Sequence, residues 1–299
     1  DARQGGEGQG EEVLNEAAGS AAAAGTAGPD SSAGAGEPLE IAPEAGFTAR
    51  LAGEVATITL SRPERLNSQT PHTWDWLARV GSQLPGTVRI VVLRGAGRAF
   101  SAGLDKAMFT DEGVAGAPGI ASLAHATAEQ AQSRISAWQR AFDWSSRTSV
   151  VSIAAVQGYA IGAGLQLALG ADIRLVADDA QFAMAEPTLG LVPDLGGTKR
   201  LVDLIGYSRA AEICLTGRRV GADEAVAIGL AACAIPATTL DDAVARTVAA
   251  LLAVPRAASA ETKALLLAAG RHTQSEQEAA ERAAQYRCLR ALAGLDDET

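Results

Sequence analysis

Three cysteines and three histidines in 299 residues leave little material for metal or disulfide chemistry. Cys214, Cys233 and Cys288 are odd in number and far apart, which argues against a disulfide framework and the usual zinc spacings. His72, His125 and His272 have no second His or Cys beside them. Bases are outnumbered, 25 Lys and Arg against 35 Asp and Glu, and a net charge of −10 does not suit a general nucleic-acid or anionic-membrane surface. Aromatics are scarce at 4%. Three Gly-rich signatures are also missing. Gly162-Ala-Gly164 meets Leu167, and Gly95-Ala-Gly97 meets Phe100, where a dinucleotide fingerprint needs glycine. Neither a triphosphate loop nor a Gly-x-Ser-x-Gly elbow occurs.

A long apolar run is present but broken. Thr148 to Ala171 is 24 residues without a charge, a length that suits a membrane span. Gly158, Gly162, Gly164, Gly170, Gln157 and Gln166 interrupt it. The better parse is a buried strand over 150–156, a Gly-rich turn over 157–164 and a buried helix from Leu165 to Gly170. No membrane span is expected.

What the chain has in plenty is small residues: 32 glycines in all, and 10 Ala with 9 Gly in residues 1–36 alone. Such a stretch buries too little to offset the entropy of ordering it. With Glu7, Glu11 and Glu12 and no apolar core it does not read as a secretion signal. Residues 1–44 are therefore expected to form a disordered tail. In the body, the alternation over Thr48–Ala52 and Val55–Leu60 around Gly53-Glu54 predicts a hairpin. Thr70-Pro71 starts a helix running to about Leu84. Strands follow at 89–94, 150–156, 171–177 and 181–183, with a helical pattern over 120–147 that sets Ile135, Trp138 and Phe142 on one face. Helices predominate after 200: 200–205, 208–215, 222–228, 239–252, 257–268 and 274–292. This order implies an α/β core of repeated ββα units over 45–205 and a helical C-terminal segment over 206–299.

Two Gly-rich turns, 95–105 and 157–164, follow buried strands. They read either as simple tight turns or as two sources of backbone N–H groups aimed at one developing oxyanion. Four segments together are similar to the enoyl-CoA hydratase/isomerase, or crotonase, superfamily: Arg62-Pro-Glu-Arg-Leu-Asn67, Phe100-Ser-Ala-Gly-Leu-Asp105, Ile153-Ala-Ala-Val-Gln-Gly-Tyr-Ala-Ile-Gly-Ala-Gly164, and the run from Ala180 to Leu201. The resemblance covers about residues 46 to 290. It implies an α/β crotonase-like spiral of ββα units with helices that drive trimerisation, giving a homotrimer or a dimer of trimers. It further implies a cytoplasmic enzyme acting on an acyl-CoA thioester, with no separate cofactor because coenzyme A is part of the substrate.

The same resemblance assigns the thioester oxygen to the N–H groups of Leu104 and Ala163. It places the coenzyme A portion along Ala102, Leu104, Asp105, Lys106 and Ala107, near Ala163, with Arg65 as a further contact. Lys106 also reads as an ordinary surface lysine. Hydratases of the superfamily use two glutamates. The second matches Glu186, but the first falls on Gln166, which cannot take or release a proton. The expected chemistry is therefore enoyl- or dienoyl-CoA double-bond isomerisation by Glu186, with Asp194 assisting or else capping the next helix. A hydratase in which Gln166 orients the water, another reaction of the superfamily, and a catalytically silent binding member are the alternatives. Met108, Phe109, Trp138 and Phe142 are candidates for the acyl pocket or for the core. His72 is expected to be structural, and a Ser101–His125–Asp triad is rejected because nothing orients it.

Overall fold

A computed structural model describes residues 36–295. In chain order these form β1 (Glu37–Pro38), β2 (Phe47–Ala52), β3 (Val55–Leu60), α1 (Pro71–Gln83), β4 (Ile90–Gly95), α2 (Ala128–Gln139), β5 (Val151–Val156), β6 (Tyr159–Ile161), α3 (Ala163–Leu169), β7 (Ile173–Ala177), β8 (Gln181–Ala183), α4 (Gly197–Ile205), α5 (Tyr207–Thr216), β9 (Val220–Gly221), α6 (Ala222–Ala227), β10 (Cys233–Ile235), α7 (Leu240–Ala253), α8 (Arg256–Ala269) and α9 (Gln274–Leu292).

A seven-stranded sheet runs β1-β2-β3-β4-β5-β7-β10, antiparallel up to β3 and parallel beyond it. The short strands β6, β8 and β9 form a small second sheet. Ser101 extends the small sheet by a bridge to Ala160. This is the expected spiral of ββα units followed by helices.

Parallel strands covered on both faces need apolar residues at successive positions. Ile90, Val92, Ile153, Ala155 and Leu175 turn to one face, against Leu240 and Val244 of α7. Val91, Leu93, Ala154 and Val176 turn to the other, into the main core with Trp74, Phe142 and Leu165. Each buried large side chain contributes about 1.5–3 kcal/mol before entropy is subtracted. α8 is tied to the sheet by one buried ion pair. Lys263 Nζ lies 2.8 Å from Asp172 Oδ2 and 2.5 Å from the Val150 carbonyl, while Ser152 donates to the same carboxylate from Oγ and N at 2.7 Å.

Four expectations change. The tail expected over 1–44 gives way to folded chain before its end: β1 pairs with Leu51 and Arg50 of β2, and Leu39 N donates to Ala49 O. Residues 1–35 lie outside the described residues. The helix expected over 120–147 is instead a 3-10 turn, Ile120–His125, then α2 and a second turn, Arg140–Phe142. Thr127 is the cause, since it forms a reciprocal cap with Gln130 and so starts a new helix. The Gly-rich turn over 157–164 contains β6, hydrogen-bonded on both sides. Finally, the helical C-terminal segment carries β9 and β10, which complete the two sheets. Among the described residues no single helix is long and apolar enough to cross a membrane.

Candidate active site

Leu104 sits in the loop after β4. Opposite it, Gln69 makes both backbone bonds of a parallel bridge, donating to Gly103 O at 2.7 Å and accepting from Asp105 N at 2.8 Å. In such a bridge the residue facing Gln69 has its own N–H turned to the other side. The Leu104 N–H accordingly has no acceptor among the described residues. Ala163 opens α3, where a helical N–H has no partner in its own helix. Its amide also lacks an acceptor among the described residues, while the preceding Gly162 N donates to Ala183 O at 2.8 Å. The two loops approach so closely that a Cβ on Gly103 would lie 2.6 Å from Ile161 O and 3.6 Å from Ala163 N.

Both residues line one cavity of about 570 Å³. Trp74, Trp138, Phe109, Leu123, Ile135 and Val192 supply much of its apolar wall, and among the described residues its ionisable side chains are Glu186 and Asp194. Trp74 and Trp138 pack edge to face with ring centres 5.1 Å apart.

Glu186 begins the turn after β8 and packs against Gly162. That glycine has φ +53°, and a Cβ there would lie 3.2 Å from Glu186 Oε1. Oε1 accepts from Gln166 Nε2 at 2.8 Å, whereas Oε2 is buried with no partner among the described residues. Burial pushes the Glu186 carboxyl above its ordinary value. The Glu186 amide and Gln166 offset part of that rise, and the charge of Asp194 adds to it. Burial also raises Asp194. Two carboxyls in one apolar cavity, both biased toward the protonated form, suit proton transfer at neutral pH.

Gln166 is fully buried and does not line the cavity. Its Oε1 accepts from Leu195 N at 2.9 Å and Gly197 N at 3.1 Å, which fixes its amide nitrogen on Glu186. The expectation that Gln166 orients a water is corrected: its oxygen is saturated by two backbone amides, so it acts behind Glu186. Asp194 does not cap the next helix either, because α4 begins at Gly197 with Gly196 as its N-cap and no side-chain cap.

Arg65 and Lys106 are exposed, carry no ion pair among the described residues and do not line the cavity. Ala102 and Leu104 line the cavity; Ala107 does not. The Asp105 side chain is corrected from ligand contact to internal brace. Its carboxylate accepts from Arg62 at 2.7 Å, Ser68 at 3.0 Å and Ala107 N at 3.1 Å. Burial alone would raise its pKa, but these three bonds outweigh it and hold the group below the usual carboxylate range.

Of the four acyl-pocket candidates, Phe109 and Trp138 line the cavity, while Met108 and Phe142 are fully buried in the core. His72 bonds the Ala115 carbonyl at 2.8 Å. Ser101 Oγ is buried and donates to Asn67 O at 2.8 Å, which removes it as a nucleophile. Sequence reasoning missed Trp74, Gln69 and the wall over 120–124. An amphipathic pattern marks Trp74 as inward-facing, but no local pattern says that the inward side meets a cavity. Among the described residues no cluster of three or more His, Cys, Asp or Glu could hold a metal ion.

Comparison with known proteins agrees with this geometry. The sequence profile of the enoyl-CoA hydratase/isomerase family matches residues 50–292. "Probable enoyl-CoA hydratase EchA12" of Mycobacterium tuberculosis H37Rv is 42% identical over 193 residues, 64% of this chain and 65% of the relative. The 1,2-epoxyphenylacetyl-CoA isomerase of Escherichia coli K12 is 36% identical over 173 residues, 57% of this chain and 62% of the relative. The matched stretches thus span just under two thirds of these curated relatives. A Thermobifida fusca YX protein assigned to the enoyl-CoA hydratases, solved with acetoacetyl-CoA, superposes with a TM-score of 0.80 at 50% identity, covering 85% of this chain and 97% of that one. The enoyl-CoA hydratase of Bacillus anthracis superposes with a TM-score of 0.71 at 27% identity, covering 83% and 95%.

Proposed function

The chain belongs to the enoyl-CoA hydratase/isomerase family, and on that premise we propose that it shifts the double bond of an enoyl- or dienoyl-CoA thioester. Glu186 removes a proton from C2 of a 3-enoyl-CoA. The electron pair moves onto the thioester oxygen, where the N–H groups of Leu104 and Ala163 receive the charge. The protonated Glu186 then returns its proton at C4, the carbonyl re-forms, and the double bond lies between C2 and C3. Removing one such donor typically costs about 10²–10³ in rate, so a pair accounts for several kcal/mol of the barrier. Asp194 assists by holding Glu186 near the protonated form it must adopt midway. The acyl group extends along the apolar wall, which suits an uncharged hydrocarbon chain, and the coenzyme A phosphates lie toward Lys106 and Arg65.

One observation carries this reading: the carboxylate in the cavity is partnered by an amide, Gln166, and not by a second acid. Hydration needs one group to take a proton from water and another to supply one to carbon, and Gln166 can do neither. The E. coli relative named as an isomerase supports the reading. The names of the M. tuberculosis and B. anthracis relatives favour hydration instead, a second reading in which Glu186 and Asp194 share the proton work. A homotrimer or dimer of trimers in the cytoplasm belongs to the same proposal. Exposed Tyr286, Leu289 and Leu292 on α9 support the assembly.

Parallel incubations with 3-enoyl-CoA and 2-enoyl-CoA, followed by the absorbance of the conjugated thioester, decide between the two. Growth from the 3-enoyl substrate with a stable 2-enoyl signal is the expected result. Rapid loss of the 2-enoyl signal means hydration and overturns the argument from Gln166.

A further inference from the structure

We infer that Gln69 is a positioning residue for the oxyanion loop, an inference that rests on the assignment of the Leu104 N–H as a donor to the thioester oxygen. Gln69 is fully buried and every polar atom it has is engaged on the site. Its main chain clamps the loop on both sides of Leu104, at Gly103 O and Asp105 N. Its side chain completes a one-way relay. Trp74 Nε1 can only donate, so it fixes Gln69 Oε1 as its acceptor, at 2.8 Å. Gln69 Nε2 must then face Ser101, donating to Oγ at 3.0 Å. Ser101 sends its own proton to Asn67 O at 2.8 Å and accepts Gly103 N at 3.2 Å. Four buried hydrogen bonds, each with one permitted direction, thus lock the segment 101–105 in register.

The relay also joins two walls of one cavity. Trp74 borders the space assigned to the acyl chain, and Gly103 and Leu104 border the thioester oxygen. Gln69 fixes one against the other, so that a bound chain and its carbonyl meet a frame set before binding. Asn67 supports the same end. It takes φ +53° although it is not glycine, and it bonds Ala96 O and Ala99 O from Nδ2 at 2.8 and 2.7 Å. A backbone in that region persists only where its surroundings over-determine it. A misplacement of one ångström at a reacting centre costs on the order of 10²-fold in rate.

The test uses Gln69→Met, which keeps volume and loses the hydrogen bonds, and Ser101→Ala, which breaks the relay one step on. For each, three quantities are read: the dissociation constant of acetoacetyl-CoA, the enolate absorbance of that ligand when bound, and kcat with KM for 3-enoyl-CoA. The expected outcome is a loss of enolate absorbance and a fall in kcat of at least ten-fold, with KM and the dissociation constant within two-fold of the parent. Far-UV circular dichroism identifies a variant that fails to fold, and the other variant then decides. Folded variants with unchanged kcat and enolate absorbance overturn the role of Gln69 and leave the proposed reaction standing, as does a loss confined to KM. A parent protein that neither enolises acetoacetyl-CoA nor converts 3-enoyl-CoA overturns the reaction and this inference together.

Discussion

Glu186 holds its position against the preference of a carboxylate for water. Its Oε2 has no hydrogen-bond partner among the described residues and its pKa is raised by burial, with Asp194 adding to the rise. The folded state therefore favours the protonated form. The penalty of the ionised group is absent below the unfolded value of about 4.3, grows as the pH rises through the folded value, and is complete above it. Glu186→Gln is thus expected to raise the melting temperature at pH 7, and to lose that advantage below about pH 4. Calorimetry across this range checks it, and a less stable variant at pH 7 contradicts it. The same raised pKa places the acid limb of kcat/KM above the ordinary glutamate range. Glu186 was legible because its motif is local. The direction of Gln166 was not. Whether a buried amide faces the cavity or stands behind a carboxylate depends on Leu195 and Gly197, about thirty residues further along the chain.

At the scale of elements, the turn between β6 and α3 carries the largest constraint. Gly162 combines φ +53° with ψ −120°, a conformation that side chains with a Cβ avoid, and a Cβ there meets Glu186 Oε1. Gly162→Ala is expected to lower kcat about 10²-fold while the affinity for coenzyme A stays within a few-fold. Steady-state kinetics with a direct binding titration checks this, and an unchanged kcat refutes it. The Lys263–Asp172 pair makes a different prediction. Removing one partner of a buried pair strands the other charge, so Lys263→Met is expected to cost about 3–5 kcal/mol in chemical denaturation. Replacing Asp172 with leucine in the same chain should recover much of the loss, and failure to do so assigns the loss to packing of α8. Long apolar strands and capped helices such as α1 and α9 were readable in the sequence. β8, three residues long, was also readable, but β1, β6, β9 and β10 were not: they exist because a neighbouring strand pairs with them, which no local pattern reports.

Across the whole molecule, the repeated ββα unit explains why so few polar side chains suffice. The consecutive pairs β5–β6 and β7–β8 each send the first strand into the large sheet and the second into the small one, which repeats the same turn along the chain. The loops after β4, β6 and β8 bring Leu104, Ala163 and Glu186 to one cavity. The scarcity of histidine and cysteine fits a site built from backbone amides and two carboxyls.

The central claim is that Glu186 alone carries the proton between two carbons of an acyl-CoA. It is tested most directly by the initial rate at which conjugated thioester appears from 3-enoyl-CoA, measured for the parent chain and for Glu186→Gln at equal folded concentration. The claim predicts steady growth with the parent and a rate at least 10²-fold lower with the variant, whose acetoacetyl-CoA affinity remains. A variant that retains the parent rate, or a parent that leaves 3-enoyl-CoA untouched, contradicts it.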